Sequence, residues 1–142
     1  MAAFNKFEAF VEHLAEKVHN LGADTLKVYL TNTAPDAAAD AVKADLAEIS
    51  AGNGYTAGGT AASISSSAQT GGTYKLVLAD VVFTASGGTI GPFRYAVLYN
   101  DTPTSPADPL IGNWDYGSSI SLQDGETFTV DMDATNGVLQ LA

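Results

Sequence analysis

The sequence predicts an α+β, mainly β domain: an N-terminal amphipathic helix packed on an antiparallel β-sandwich or small barrel of about seven strands. Three observations predict it. Phe4, Phe7, Val11, Leu14, Val18 and Leu21 recur at steps of three and four, which lines one face of a helix. After Gly22 the apolar residues alternate instead in short runs, the period of a strand. Clusters of Gly, Pro, Asn and Asp separate those runs at close spacing. A length of 142 residues suits one domain, with the helix over 1–22 and the β part over 23–142.

The helix is expected over about Lys6 to Asn20, with Asn5 and Glu8 forming a capping box and Gly22 ending it in the left-handed conformation. Phe10 widens its apolar face. Leu26, Val28 and Leu30 then alternate with Lys27, Tyr29 and Thr31 in a half-buried strand. Asn32 to Pro35 breaks it, and a short helical turn is expected near 42–48. The Gly-rich stretch 51–72 reads as an arm or loop: Ala51 to Gly59 as an extended arm or turn crossing a neighbour, anchored by Tyr55, and Thr60 to Thr70 as an edge strand or poorly ordered segment. Strands follow over Thr73–Ala79 and Asp80–Ala85, with a bulge or bend expected near Ala79-Asp80. Phe93–Tyr99, apolar on both faces, is the expected sheet centre. A Pro-rich loop leads to Leu110–Tyr116, then Ser118–Leu122 and Glu126–Met132 are expected to pair as a hairpin. Val138–Leu141 is the last strand.

The totals exclude several classes. The chain has 16 acids against 6 bases, a formal charge of -10, and its only arginine is Arg94. Binding to nucleic acid needs clustered cations and is not expected, nor is attraction to an anionic membrane. No apolar run approaches a membrane span, and Met1-Ala2-Ala3 leads into the helix without the pattern of a secretory signal. The chain has no cysteine, which rules out disulfides and thiolate metal sites.

Catalytic and metal chemistry find little support. His13 and His19 lie six positions apart, on different faces of the expected helix, and read as surface residues that do not chelate one metal. No serine sits in a nucleophile-elbow context. Asp131, Asp133 and Asn136 faintly resemble a calcium loop but lack its closing glutamate, and a strand end with an Asn-Gly turn explains them. No catalytic residue, metal or cofactor is therefore assigned. Two groups are candidates for recognition. Phe4, Phe7, Phe10, Val11, Leu14 and Val18, with Tyr55 of the Gly-rich stretch, are candidate oligomer or partner contacts. Trp114, the one tryptophan, and Tyr116 are candidate ligand or interface aromatics.

Phe4-Asn-Lys-Phe7, His19-Asn-Leu-Gly22, Leu30-Thr-Asn-Thr-Ala-Pro35, Ala47-Glu-Ile49, Gly52 to Gly59, Gly91 to Asn100, Trp114-Asp-Tyr-Gly117 and Gly125-Glu-Thr-Phe128 carry a resemblance spanning nearly the whole chain. In these motifs it resembles a family of small virion structural proteins from tailed bacteriophages. The resemblance implies a non-enzymatic capsid decoration (cement) protein on the virion surface, bound to the major capsid protein and itself a homo-oligomer, a trimer. It brings no catalytic residue with it. A tail, neck or fibre-base component and a carbohydrate-binding attachment module centred on Trp114, Tyr116 and the Pro-rich loop are the alternatives, with a hydrolase the most remote.

Overall fold

The computed structural model describes residues 2–142 and is mainly β, with one short α-helix. In chain order the elements are β1 (Phe4–Lys6), α1 (Glu8–Ala15), β2 (Leu26–Thr31), a 3-10 turn (Lys43–Asp45), β3 (Thr60–Ala61), β4 (Ile64–Thr70), β5 (Thr73–Leu78), β6 (Val81–Thr84), β7 (Ile90–Asn100), β8 (Leu110–Leu122), β9 (Thr127–Val130) and β10 (Leu139–Leu141). A five-stranded sheet runs β1-β8-β7-β2-β3, a three-stranded sheet runs β10-β5-β4, and β6 pairs with β9. Every strand pairing is antiparallel, and the sheets do not close.

β7 is the middle strand of the large sheet, as its two apolar faces require. One face of that sheet, with Val28, Leu30, Ala96 and Leu98, shares a core with Leu76 and Leu78 of β5, Phe83 of β6 and Val130 of β9. The opposite face, with Tyr29, Val97, Tyr99 and Leu110, is covered by Phe7 and Leu46. β2 is therefore buried on both faces along most of its length, where alternation alone predicts a half-buried strand.

The N-terminus departs from expectation. Phe4–Lys6 is not helix but an edge strand, with Phe4 opposite Trp114 and Lys6 opposite Gly112. Gly112 makes this pairing feasible, since a Cβ there would lie 2.2 Å from the Phe4 ring. The capping box is absent: Phe7 is the N-cap and makes no side-chain cap bond. Backbone carbonyls satisfy the first amides instead, Ile111 O accepting from Phe7 N–H at 3.1 Å and Ala37 O from Glu8 N–H at 2.9 Å. The helix also ends early. Lys17 takes the left-handed conformation (φ 67°), with Val18 N–H donating to His13 O and Lys17 N–H to Leu14 O, a Schellman closure. Lys17 thus performs the termination expected of Gly22.

Two further expectations change. β8 is one continuous strand whose far half pairs with β7 (Phe93 opposite Ile120, Ile90 opposite Leu122), so the expected hairpin of 118–122 with 126–132 does not form. β9 pairs with β6 instead, Phe83 facing Phe128 and Val81 facing Val130, because apolar alternation on those strands closes the same core. Of the bulge or bend expected at Ala79-Asp80 the structure has the bend, a corner between two sheets fixed by the Asp80 carboxylate accepting Met132 N–H at 2.7 Å. The Gly-rich part is not an extended arm but folds back on the chain and buries Tyr55 to 3% exposure, while the edge-strand reading of 60–70 is met by β3, at the edge of the large sheet, and β4, at the edge of the three-stranded one.

Candidate functional site

The aromatic pair singled out from the sequence lies in one cleft. Trp114 and Tyr116, two apart on β8, share a face of the strand. Opposite Trp114 on β7 stands Ala96, too small to fill the space beside the indole. The result is a cleft of about 330 Å³ lined by Ala96, Trp114, Tyr116, Phe128, Val130 and Asp131. Phe4 packs on the other side of the indole at 5.1 Å between ring centres, and Phe128 meets Tyr116 edge-on at 5.8 Å. Trp114 is 7% exposed and Tyr116 54%. The indole is therefore wall rather than platform, and Tyr116 is the ring open to a ligand. An apolar cleft with one carboxylate at its rim can take up a planar or apolar group; it holds no nucleophile–base pair. Phe128 and Ala96 have no local signal that marks them for this cleft, and Asp131 stands out in the sequence only as a calcium-loop oxygen: Phe128 comes to the cleft on β9, which is positioned by its pairing with β6, and Ala96 by its register opposite Trp114.

The seven candidate contact residues of the N-terminal stripe and Gly-rich stretch are placed differently. Phe7, Phe10 and Tyr55 are buried in the chain's own core, and Phe4, Leu14 and Val18 are partly buried. Val11 alone of the seven is open, at 52% exposure. The stripe faces inward because β1 and the early helix end wrap it around the sheet, so its large rings are not available to a second molecule.

The early helix end also reunites the histidines. Beyond Lys17 the chain doubles back and brings the His19 ring to 6.1 Å from that of His13 and 5.1 Å from Phe10. His19 is 5% exposed, correcting its reading as a surface residue. It lines an open groove of about 590 Å³ that also includes Val18, Asp24, Ser67 and Tyr74. The Asn100 amide is oriented by Thr102 N–H donating to its Oδ1 and by its own Nδ2 donating to Asp24 at 2.7 Å. That Nδ2 also reaches His19 Nδ1 at 3.1 Å, so Nδ1 accepts and the ring proton sits on Nε2. His19 Nε2 and His13 Nδ1 are buried with no hydrogen-bond partner among the described residues.

Burial, reinforced by His13 and opposed by Asp24, depresses the His19 pKa to about 4 from its ordinary 6.5. The unfolded chain then takes up the proton first, so stability falls as pH drops from about 6.5 toward 4. A loss of about 2 kcal/mol between pH 7 and pH 5 is expected. Urea unfolding at both pH values should show it, with His19→Gln removing most of the difference. An equal loss in the variant would place the effect elsewhere.

The remaining polar motif residues are engaged internally. Glu48 accepts from Lys43 Nζ at 2.7 Å, from Tyr55 O–H at 2.7 Å and from Gly58 N–H at 2.6 Å. Burial alone would raise its pKa, but these donors outweigh it and hold the carboxyl below its usual range. Lys43 also lies over the Tyr29 ring at 5.0 Å. Arg94 forms a two-pronged pair with Asp115 at 2.8 and 3.0 Å. Asp133 Oδ1 accepts from the Thr135 and Asn136 N–H groups and its Oδ2 from the Asn136 side-chain amide, so both oxygens serve a local turn. Among the described residues no group of three or more His, Asp or Glu side chains is placed to hold a metal ion, and no helix is long and apolar enough to cross a membrane.

Comparison with known proteins finds no matching family model, no matching curated protein and no matching solved structure.

Proposed function

We propose that this chain is a non-enzymatic structural protein of a tailed-bacteriophage virion, acting as a capsid decoration protein that binds the major capsid protein on the outer shell. The observation that carries the reading is what the motif residues do. Glu48, Tyr55, Gly58, Arg94 and Asn100, all within the stretches that resemble the virion family, tie the chain to itself. They build a rigid block rather than a reacting centre. The five-stranded sheet and the smaller sheets facing it across one core are read as the two layers of a sandwich. Three of the cations are committed to ion pairs, Lys27 with Asp101, Lys43 with Glu48 and Arg94 with Asp115. The net charge of -10 therefore reaches the surface largely unmasked, which suits an outward face that repels DNA.

A second reading rests on the Tyr116 cleft: attachment to a host glycan, with the sugar against the exposed ring. One experiment separates them. Purified chain is added to expanded capsid shells assembled without it, and separately to a glycan panel while Trp114 emission is followed. Decoration predicts saturable binding at a fixed copy number per capsomer and a higher temperature of shell rupture. No binding to shells, with the chain recovered in purified tails, overturns it in favour of a tail or neck role. Emission changes on glycan addition that vanish in Tyr116→Ala overturn it in favour of attachment.

A further inference from the structure

We propose that β4 is a pairing edge through which two copies of this chain join their three-stranded sheets into one six-stranded sheet. The strand order β10-β5-β4 leaves the outer side of β4 unpaired. At seven residues it is longer than the other edge strands: β1 and β10 have three, β3 has two, and β6 and β9 have four each. Among the described residues, no backbone bond outside its pairing with β5 reaches Ser65 to Thr70. Edges of this length are ordinarily blunted by charge or proline. β4, Ile-Ser-Ser-Ser-Ala-Gln-Thr, has neither.

The choice of a second copy follows from charge. In a chain of net charge -10, residues 49–74 contain no charged side chain at all, and the next residue, Lys75 on β5, is positive. Two acidic copies repel least where they approach along this stretch, whereas a basic partner would be drawn to the acidic faces elsewhere. Pairing a strand with itself in antiparallel fashion is a two-fold operation, so it closes after two copies. This inference is independent of the virion reading and replaces the trimer implied by the resemblance with a dimer.

The register follows from the turn. Gly71 and Gly72 form a two-residue hairpin loop with φ of 60° and 86°, the geometry of a primed turn. Thr70 and Thr73 are then a hydrogen-bonded pair, and alternation points the backbone groups of Gln69 and Ser67 outward. The irregularity in β4 lies at Ile64/Ser66, away from these residues. A two-fold axis at Ala68 pairs Ser67 of each copy with Gln69 of the other. It brings the two Ala68 residues together as a close pair without mutual hydrogen bonds.

Light scattering after size exclusion, at high micromolar concentration, tests this on the full chain. A mass twice the 14.6 kDa of one chain is expected. It should fall to a single copy in Gln69→Pro, which removes an outward N–H, and in Ala68→Lys, which sets like charges face to face. Because the chain has no cysteine, Ala68→Cys should form one disulfide between copies on oxidation. A single-copy mass for the unmodified chain, a trimer, or a dimer that persists in both variants with unchanged far-ultraviolet circular dichroism overturns the proposal.

Discussion

Glu48→Ala is expected to destabilise the fold by about 3 kcal/mol, read as a shift in the urea midpoint at unchanged slope. The side chain does three things at once. It neutralises Lys43, accepts the Tyr55 hydroxyl, and holds Gly58 N–H. Its exposure is 16% and that of Lys43 is 19%, so water replaces these partners only in part. Removing it leaves an ammonium over the rings of Tyr29 and Tyr99 without its ion-pair partner, and a phenol and an amide with no acceptor. Glu48→Gln retains an acceptor for Tyr55 and Gly58 and is expected to cost less than half as much. The pH dependence has a definite sign. A carboxyl held below its ordinary 4.5 stabilises the fold above that value and loses this contribution as pH falls further. The loss lies at more acid pH than the His19 effect, so a pH titration of stability separates the two. Equal midpoints for Glu48→Ala and the unmodified chain would show that the network contributes no net stability.

Gly59→Ala is the second large effect, about 2–5 kcal/mol from a left-handed backbone combined with overpacking. A Cβ at Gly59 would sit 1.9 Å from Val28 O, 2.6 Å from Val28 C and 2.8 Å from Tyr29 Cα, and its φ is +78°. These are backbone atoms of β2, which is held between β3 and β7 and cannot yield without breaking its ladder. The loop must lift instead, pulling Gly58 from Glu48 and its carbonyl from the Tyr99 hydroxyl. Faster amide exchange over 52–60 should accompany the lost stability. Gly71→Ala is the control: its φ is +60° but nothing lies within 4 Å of the added carbon, so it reports backbone strain alone, about 1 kcal/mol. Equal losses at the two glycines would remove the steric argument.

Much of the β part is legible in the residues themselves. The Leu26/Val28/Leu30 alternation, the two apolar faces of 93–99 and the Pro-rich break before 110 are local signals. They yield β2, the central β7 and the β7–β8 connection. Trp114 and Tyr116 share a face by strand period, and the structure opens a cleft beside them. The N-terminus is the opposite case. Phe4, Phe7, Val11 and Leu14 fit a helix by spacing, and nothing local distinguishes Phe4 as the start of a strand. That outcome depends on Gly112, more than a hundred residues away, leaving room for the Phe4 ring. The histidines are misplaced for the same reason, since a left-handed Lys17 has no sequence signal comparable to glycine.

What the sequence determines alone is periodicity, turn chemistry and charge: a mainly β chain, a short amphipathic helix, an acidic surface and no thiol chemistry. These depend on residues adjacent along the chain. Which strand pairs with which, where the helix stops, and which polar groups meet were decided by tertiary structure. Ile120 facing Phe93 rather than a hairpin partner, Phe128 facing Phe83, and Glu48 gathering Lys43, Tyr55 and Gly58 all satisfy one shared core and one set of buried polar groups. Each of these contacts is favourable only when distant segments have already met, so no local pattern encodes it.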